Sequence, residues 1–571
     1  LDITAERLKS KKLLILPHNP GMPDEVARKL LAFLDGGGKL IVFYGLPGQL
    51  RPAVGIEGGR HVPETRPGHF ASMRFLPDVL QGAPAAVEQH SWNLSEAKAV
   101  AGKSRVAAVW QDDAGQPTGD AAIVVSGNCI QMTHVWLADD PANKPRLMLA
   151  LVGHFLPEFW ERAARARIAR VGCFGPFKSL AEAQGAVQAG KAVELHGQAE
   201  ALCKAGKWAE ALNAAAAADA LLLSAYCAAL KPEPGEHRAF WCHSAFGVQG
   251  LEWDAAIKLL ADNGFTTILP NMLWGGTAFY ESSVLPVAPE VREKGDQIAK
   301  CLAACKKYGL QCHVWKVNWN MSGRAPKEFV EKMRAAGRTQ VHFDGKPENT
   351  WLCPSHPDNQ KLEIEAMVEV ATKYGVDGIH FDYIRYPGPD ECFCPGCRER
   401  FEAAAGEKVK NWPADVRRDE GLRQKWLDFR RENITKVVAG VHEAARKAKP
   451  GIKISAAVFQ NWSVDRDGVG QDWKLWCERG YLDFVCPMDY TTENGQFESL
   501  VRRQLGWAGK VPCYPGIGLS CWPPPADFCK LVDQIQITRR FKTGGFTIFN
   551  YSVAEARDIV PLCGKGITKK P

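Results

Sequence analysis

No apolar run in this 571-residue chain approaches the roughly 20 residues that a membrane-spanning helix needs. The longest candidate, Leu212 to Leu230, is alanine-rich and broken by Asn213, Asp219 and Ser224, so it reads as a helix of a water-soluble fold and no membrane span is expected. A strong charge of one sign is lacking as well. Lys and Arg number 71 against 64 Asp and Glu, a net +7, and the one basic cluster is at Lys569 and Lys570, so nucleic acid is not an expected partner. The 18 cysteines lack the dense, even spacing of a small disulfide-stapled secreted domain. Cys242, Cys312, Cys486 and Cys513 fall inside apolar strands and read as small buried hydrophobes. An initiating Met and a signal peptide are missing. The chain opens at Leu1, close to a first strand, which suits a processed extracellular or periplasmic protein and equally a trimmed one.

What is present is the composition of a globular protein, 46% hydrophobic and 24% charged, long enough for two to four domains. Three textures follow one another. Over 1–157, strand-like LLILP (13–17), an amphipathic helix from Pro23 to Leu34 and GGGKLIVFYGL (36–46) make a β-α-β unit. That implies a Rossmann-like α/β domain with a parallel sheet, and later strands are predicted at Ala107–Gln111 and Ala121–Val125. Over 158–232 Ala, Glu, Lys and Leu dominate, which predicts a helical linker region with a hairpin turning at Gly206. KPEPGEH (231–237) is a Pro/Gly/charged boundary. From 233 to 571, eight short apolar strands alternate with longer helices: 239–244, 266–271, 311–318, 378–382, 453–459, 483–488, 511–517 and 545–550. Eight such units predict a (β/α)₈ TIM barrel, whose active site lies at the C-terminal ends of its strands.

Those ends carry His243 on strand one, Asn271 and Trp274 on strand two, and Lys316, Asn318 and Trp319 on strand three. Strand four gives His380, Asp382, Tyr383 and Arg385, strand five Gln460, Asn461 and Trp462, and strand six Asp489, Tyr490 and Glu493. Trp522 follows strand seven, and Asn550 and Tyr551 end strand eight. Thirteen of the 18 Trp fall after residue 233. Sugar rings stack on aromatic faces, and amides and carboxylates bind hydroxyls, so a carbohydrate substrate is expected. Two carboxyls at strand ends are what glycoside hydrolysis needs: one protonates the leaving oxygen, the other attacks or activates water. On this reading Asp382 is nucleophile or base, with Arg385 or His380 keeping it ionised, and Asp489 is the general acid, its pKa raised by burial against Tyr490 and Trp462. Glu493 is the reserve acid. No cofactor is required for that catalysis. The alternative is a carbohydrate-binding barrel that has lost catalysis, and a third reading is a metal-dependent barrel hydrolase using His243, His313 and His380.

VDGIHFDYIRYP (376–387), with WLCPSHPDNQ (351–360), CPMDYT (486–491), AFWCHSAFG (239–247), ILPNMLWGG (268–276) and GFTIFNYS (545–552), resembles the glycosyl-hydrolase-like family 10, a family of bacterial glycosidase-like proteins with (β/α)₈ barrels. The resemblance covers most of 237–565 and implies a glycosidase acting on a polysaccharide or glycan. The placement of Asp382 and Asp489 is also similar to that of nucleophile and acid in the α-galactosidase and α-glucosidase barrels. It departs from the α-amylase pattern, which has a strand-five Glu where Gln460 and Asn461 stand. It departs from the chitinase pattern too, where the acidic Glu would fall at Ile384. KKLLILPHNP, FLDGGGKLIVFYG, AAIVVSGN and THVWL resemble a glutamine-amidotransferase-like α/β domain. Such domains serve as accessory modules, and the lack of any G-x-C-x-G nucleophile turn makes this one non-catalytic; oligomer contacts through it are one expectation. Finally, DECFCPGCRERF (390–401) places Cys392, Cys394 and Cys397 within six residues. Three states are open: a structural zinc with Cys353 or His356 as fourth ligand, a disulfide such as Cys394 to Cys353, or free thiols.

Overall fold

The computed structural model describes residues 3–18, 21–523 and 526–570. Its internal contacts divide the chain into two units, 1–223 and 224–571.

The first unit is built on a seven-stranded sheet. Leu13–Leu16, Lys39–Phe43 and Cys129–Met132 run parallel. Pro117–Ser126, Ser104–Gln111, Phe70–Phe75 and Ala86–Ser91 continue the sheet antiparallel. The β-α-β unit forms as its pattern implies, with helix Asp24–Asp35 between the first two strands. The parallel, Rossmann-like sheet expected from it does not form: four of the seven strands are antiparallel. The connections explain this. Ser104–Gln111 and Pro117–Ser126 are joined by a tight turn in which Asp112 Oδ1 accepts the N–H groups of Ala114 and Gln116. So short a link returns the chain beside itself, whereas a parallel partner needs a crossover of a dozen residues or more.

Glu158–Ala169, Leu180–Val187, Gly190–Lys204 and Trp208–Ala229 are helical, as the composition predicts. Trp208–Ala229 is, by length and composition alone, apolar enough to cross a membrane (mean hydropathy 1.4), which corrects the reading that no such segment exists. Its Ala211, Ala215, Ala218 and Leu222 lie at helical spacing and are buried in a cluster with Ala164, Ala192 and Ala199, whose small side chains let helices approach closely.

The second unit is the barrel. Eight parallel strands pair in order: His237–Cys242, Thr267–Trp274, Gln311–Val317, Gly378–Asp382, Lys453–Val458, Phe484–Pro487, Gly516–Ile517 and Gly545–Phe549, the last pairing with the first. Strands six and seven are linked by two single parallel bridges, Val485 with Cys513 and Met488 with Gly516. The seventh strand is thus shorter than the predicted 511–517. Both faces of each strand are covered, by the lumen on one side and helices on the other, which is why the strands read as continuous apolar runs. The lumen is packed with Ala239, Trp241, Leu269, Trp315, Val317, Ala457, Phe484 and Cys486. Gly378 admits the His313 ring, since a Cβ there would sit 2.2 Å from His313 Nδ1. An antiparallel pair, Thr339–Val341 with Pro347–Leu352, interrupts the path from strand three to strand four; the sequence pattern did not reveal it.

Candidate active site

Successive side chains of a strand point to opposite faces, so parity decides which of them reach the lumen. On strand four His380 points inward: its Nε2 accepts from the Trp241 indole (3.0 Å) and its Nδ1 lies 2.8 Å from Ser455 Oγ. Asp382 has the same parity and tops the same face. It is 5% exposed, and its Oδ1 accepts the Tyr383 N–H at 2.6 Å. Burial raises its pKa to about 6, with the Arg385 cation, the Tyr383 N–H and the Trp315 indole pulling the other way.

Aromatic rings wall this carboxyl in. The His243 ring centre lies 6.0 Å from Trp274, 5.7 Å from Trp315 and 6.3 Å from Phe549. Tyr490 stacks on Phe549 at 5.4 Å, in a space that the bare Gly518 leaves open. The Arg385 guanidinium sits 4.3 Å from the ring centres of both Tyr383 and Phe459. Asn550 Oδ1 accepts the His243 N–H (2.8 Å) and fixes the rim of strands one and eight. Several buried polar atoms here have no protein partner: both amide atoms of Asn271, and Nε and Nη1 of Arg385. Donors and acceptors left so are costly unless a ligand or water completes them. Beside the rim, a groove of about 850 Å³ runs past Gln249, Glu293, Lys300 and Asn550.

Other expected site residues are turned away. Phe484, Cys486, Met488 and Tyr490 belong to the lumen cluster, so Asp489 has the outward parity. Its Oδ1 accepts from Gln504 Nε2 (2.6 Å) on helix Asn494–Ala508, and its Oδ2 has no partner. Full burial holds its pKa well above the carboxylate range. Asp382 and Asp489 therefore lie on opposite sides of the barrel wall and share no cleft. Glu493 is exposed and precedes helix Asn494–Ala508, accepting from Thr492 Oγ1 at 3.3 Å. Lys316 is fully buried on the helix side, 3.4 Å from Glu363, and donates to the Trp274 carbonyl (2.9 Å). Burial presses both members toward neutrality, lowering Lys316 and raising Glu363. Glu363 also accepts from Asn318 Nδ2 (2.7 Å) and the Trp319 N–H (3.2 Å), and Trp319 is completely enclosed. Tyr551 donates its hydroxyl to the Ala256 carbonyl (2.7 Å) and is buried against helix Trp253–Asp262. Trp462 donates to Asp472 (2.6 Å) and packs on Trp507 at 5.8 Å. Trp522 is buried, its indole nitrogen unpartnered. His380, with both ring nitrogens engaged and its pKa driven well down by burial, is a neutral support below the pocket.

Two groups escaped the sequence reading. Asp465, on the helix Trp462–Gly468 that follows strand five, is half-buried and accepts the Asn461 N–H (2.9 Å). Arg385 feels both its charge and that of Asp382. Glu363, on helix Pro357–Lys373, is the other. A carboxylate in a helical, charge-rich stretch gives no pattern signal of its own.

Among the described residues, the groups of three or more side chains placed to hold a metal are cysteines: Cys353, Cys392, Cys394 and Cys397, and separately Cys301, Cys305 and Cys312. His243, His313 and His380 do not gather. His313 lies toward the other end of the lumen, 5.3 Å from the Phe484 ring and with Nε2 3.3 Å from Gln311 Oε1.

Residues 239–513 match the family described as Glycosyl hydrolase-like 10, in line with the resemblance read from the motifs. The match leaves the first unit outside. Among curated proteins, "Glycosyl hydrolase DigH" of Escherichia coli (strain K12) is 23% identical over 256 residues, 40% of this chain and 55% of that protein. "Glycosyl hydrolase YngK" of Bacillus subtilis (strain 168) is 21% identical over 363 residues, 54% of this chain and 66% of that one. An "S-layer-related protein" of Niallia circulans is 26% identical over 30% of this chain and 13% of its own length. The chain thus spans between a small part and about two thirds of these relatives. Among solved structures, the PgaB (BpsB) glycoside hydrolase domain of Bordetella bronchiseptica aligns over 59% of this chain and all of its own, with 15% identity and a TM-score of 0.48.

Proposed function

We propose that the barrel hydrolyses glycosidic bonds of a polysaccharide or glycan, with Asp382 as nucleophile or base. One observation carries this reading: a single lumen carboxyl at the top of strand four, raised to about 6, stands among aromatic faces and unpartnered polar groups. A pKa near 6 leaves the group ionised at neutral pH and still basic enough to accept a proton. His243, Trp274, Tyr383 and Tyr490 supply faces for a sugar ring, and Asn271 and Arg385 supply hydrogen bonds to hydroxyls. The second carboxyl that the reaction wants is Asp465, which flanks the same arginine; Asp489 cannot serve from behind the wall. Hydrolysis by two carboxyls needs no cofactor. The family match over 239–513 agrees with a glycan as substrate, and the name of the S-layer-related relative fits a place outside the cytoplasm, extracellular or periplasmic.

The test is a screen of α- and β-linked polysaccharides with the unaltered protein and Asp382→Asn side by side, read as new reducing ends. Release by the first and a loss of about 10²–10⁴-fold in the second support the proposal. Equal release by both removes Asp382 from the mechanism. Tight glycan binding without release by either would replace the enzyme with a binding barrel.

A further inference from the structure

Cys353 follows the strand Pro347–Leu352, while Cys392, Cys394 and Cys397 lie in the loop after barrel strand four. The fold brings all four together. Cys353 Sγ is 3.4 Å from Cys397 Sγ and 3.8 Å from Cys394 Sγ, and the four sulfurs lie within 4.8 Å of one another. No pair stands near the roughly 2.05 Å of a disulfide, and all 18 cysteines are free thiols. Four sulfurs held about 2.3 Å from a common centre at tetrahedral angles would be about 3.8 Å apart.

The surroundings suit thiolates. The Val341 N–H points at Cys392 Sγ (3.4 Å) and the Cys397 N–H at Cys394 Sγ (3.3 Å), Cys394 being the N-cap of helix Pro395–Ala405. Ser355 Oγ lies 3.0 Å from Cys397 Sγ and 3.3 Å from Cys353 Sγ, and it accepts from Arg400, whose Nη2 also reaches Cys353 Sγ at 4.0 Å. Backbone donors, a helix N-terminus and an arginine offset the negative charge that such a centre carries. The other cysteine group offers three sulfurs, one short of a closed tetrahedral set.

We propose that Cys353, Cys392, Cys394 and Cys397 form a closed tetrahedral site for one divalent zinc-like cation, tying the loop after strand four to the segment ahead of it. Four thiols release four protons to solvent as the cation binds, giving a centre of net charge −2; no oxidant takes part. With all four positions filled by protein the site is structural. Its role is to hold the loop that begins with Tyr383 and Arg385, a loop also clamped by Arg430 through the Gly388 (2.5 Å) and Glu391 (2.9 Å) carbonyls. The inference stands apart from the proposed hydrolysis, because metal content is measured without substrate.

The full chain, purified without added metal or chelator, is analysed for bound elements and, after denaturation with chelator, for free thiols. About one zinc per chain and all 18 thiols are expected. Zinc should fall to background in Cys353→Ser and Cys397→Ser and stay in Cys301→Ser. Should the serine variants misfold, the unaltered protein decides: reduced and stripped of metal, it should take up one equivalent of cobalt(II) with the visible bands of a tetrahedral thiolate complex. A thiol count two or four short, zinc lost in Cys301→Ser but not in Cys397→Ser, or no cobalt uptake by the reduced chain would overturn the proposal.

Discussion

Asp382 closes barrel strand four and Asp489 stands just beyond strand six, each followed by a tyrosine, yet one faces the lumen and the other the helices. Asp382 keeps company with Arg385, Tyr383, the Trp315 indole and the unpartnered Asn271 amide. Asp489 has Gln504 on one oxygen and nothing on the other. Burial raises both carboxyls, and in each an arginine charge opposes it, Arg385 for Asp382 and, after the Gln504 hydrogen bond, Arg503 for Asp489. Asp382 is a carboxylate above about pH 6, while full burial holds the Asp489 carboxyl well above the usual carboxylate range. What separates them is strand parity: Met488 and Tyr490 take the lumen positions on either side of Asp489. A carboxyl's height on a barrel says where chemistry is feasible; its parity says whether the carboxyl is there.

The sharpest way to break that comparison is Asp382→Asn, because activity and stability should move in opposite directions. The folded protein holds the Asp382 proton up to about 6, whereas the unfolded chain releases it near 3.8. Between those values the folded state binds more protons, so its stability falls as pH rises through the window. Above about pH 6 the ionised side chain costs about 3 kcal/mol, which asparagine does not carry. The variant should be inactive and have a higher urea midpoint at about pH 8, with little difference at about pH 3, below both values. Turnover by the unaltered protein should rise with pH through about 6. A lower midpoint at about pH 8 would mean that Asp382 is held by native contacts and not strained by burial.

Much of this contrast was hidden from the sequence for identifiable reasons. The eight strands were legible because parallel barrel strands are apolar on both faces and the helices between them are long. Asp382 was legible because the run GIHFD coincides with an unbroken strand whose last residue it is. Asp489 misled because strand six ends at Pro487 and the chain then turns, so residue order gives the height and not the side. Lys316 misled in the same way, being flanked by the inward-facing Trp315 and Val317. The mixed sheet of the first unit was missed because a β-α-β signature at 13–43 says nothing about strands that arrive later through short turns. Asp465 and Glu363 sit on helices, where a carboxylate usually marks solvent.

A second break concerns the wall itself. Lys316 and Glu363 form a fully buried pair behind the lumen, with Asn318 and the Trp319 backbone on the same carboxylate. Removing one partner strands the other without water. Glu363→Ala should destabilise the barrel by about 3–5 kcal/mol, read as a shift of the urea midpoint. The pair also holds the Trp274 carbonyl, so any activity lost should return with the fold under a stabilising osmolyte. A variant of unchanged stability that has nonetheless lost activity would move Lys316 or Glu363 into the reaction and erase the distinction between lumen and wall.

The smallest effects belong to Asp489. Asparagine there has the same shape and keeps an oxygen for Gln504 to bond, and Asp489 faces away from the lumen, so Asp489→Asn should leave turnover intact and stability within about 0.5 kcal/mol. Asp489→Ala leaves the buried Gln504 amide with the Gln460 carbonyl as its remaining partner and opens a small void, at a cost of about 1–3 kcal/mol, again without loss of turnover in the folded fraction. Set beside Asp382→Asn, this pair tests parity directly. If Asp489→Asn loses turnover as Asp382→Asn does while its melting curve is unchanged, the strand-six carboxyl reaches substrate by a rearrangement of the wall, and the two aspartates work as a pair after all.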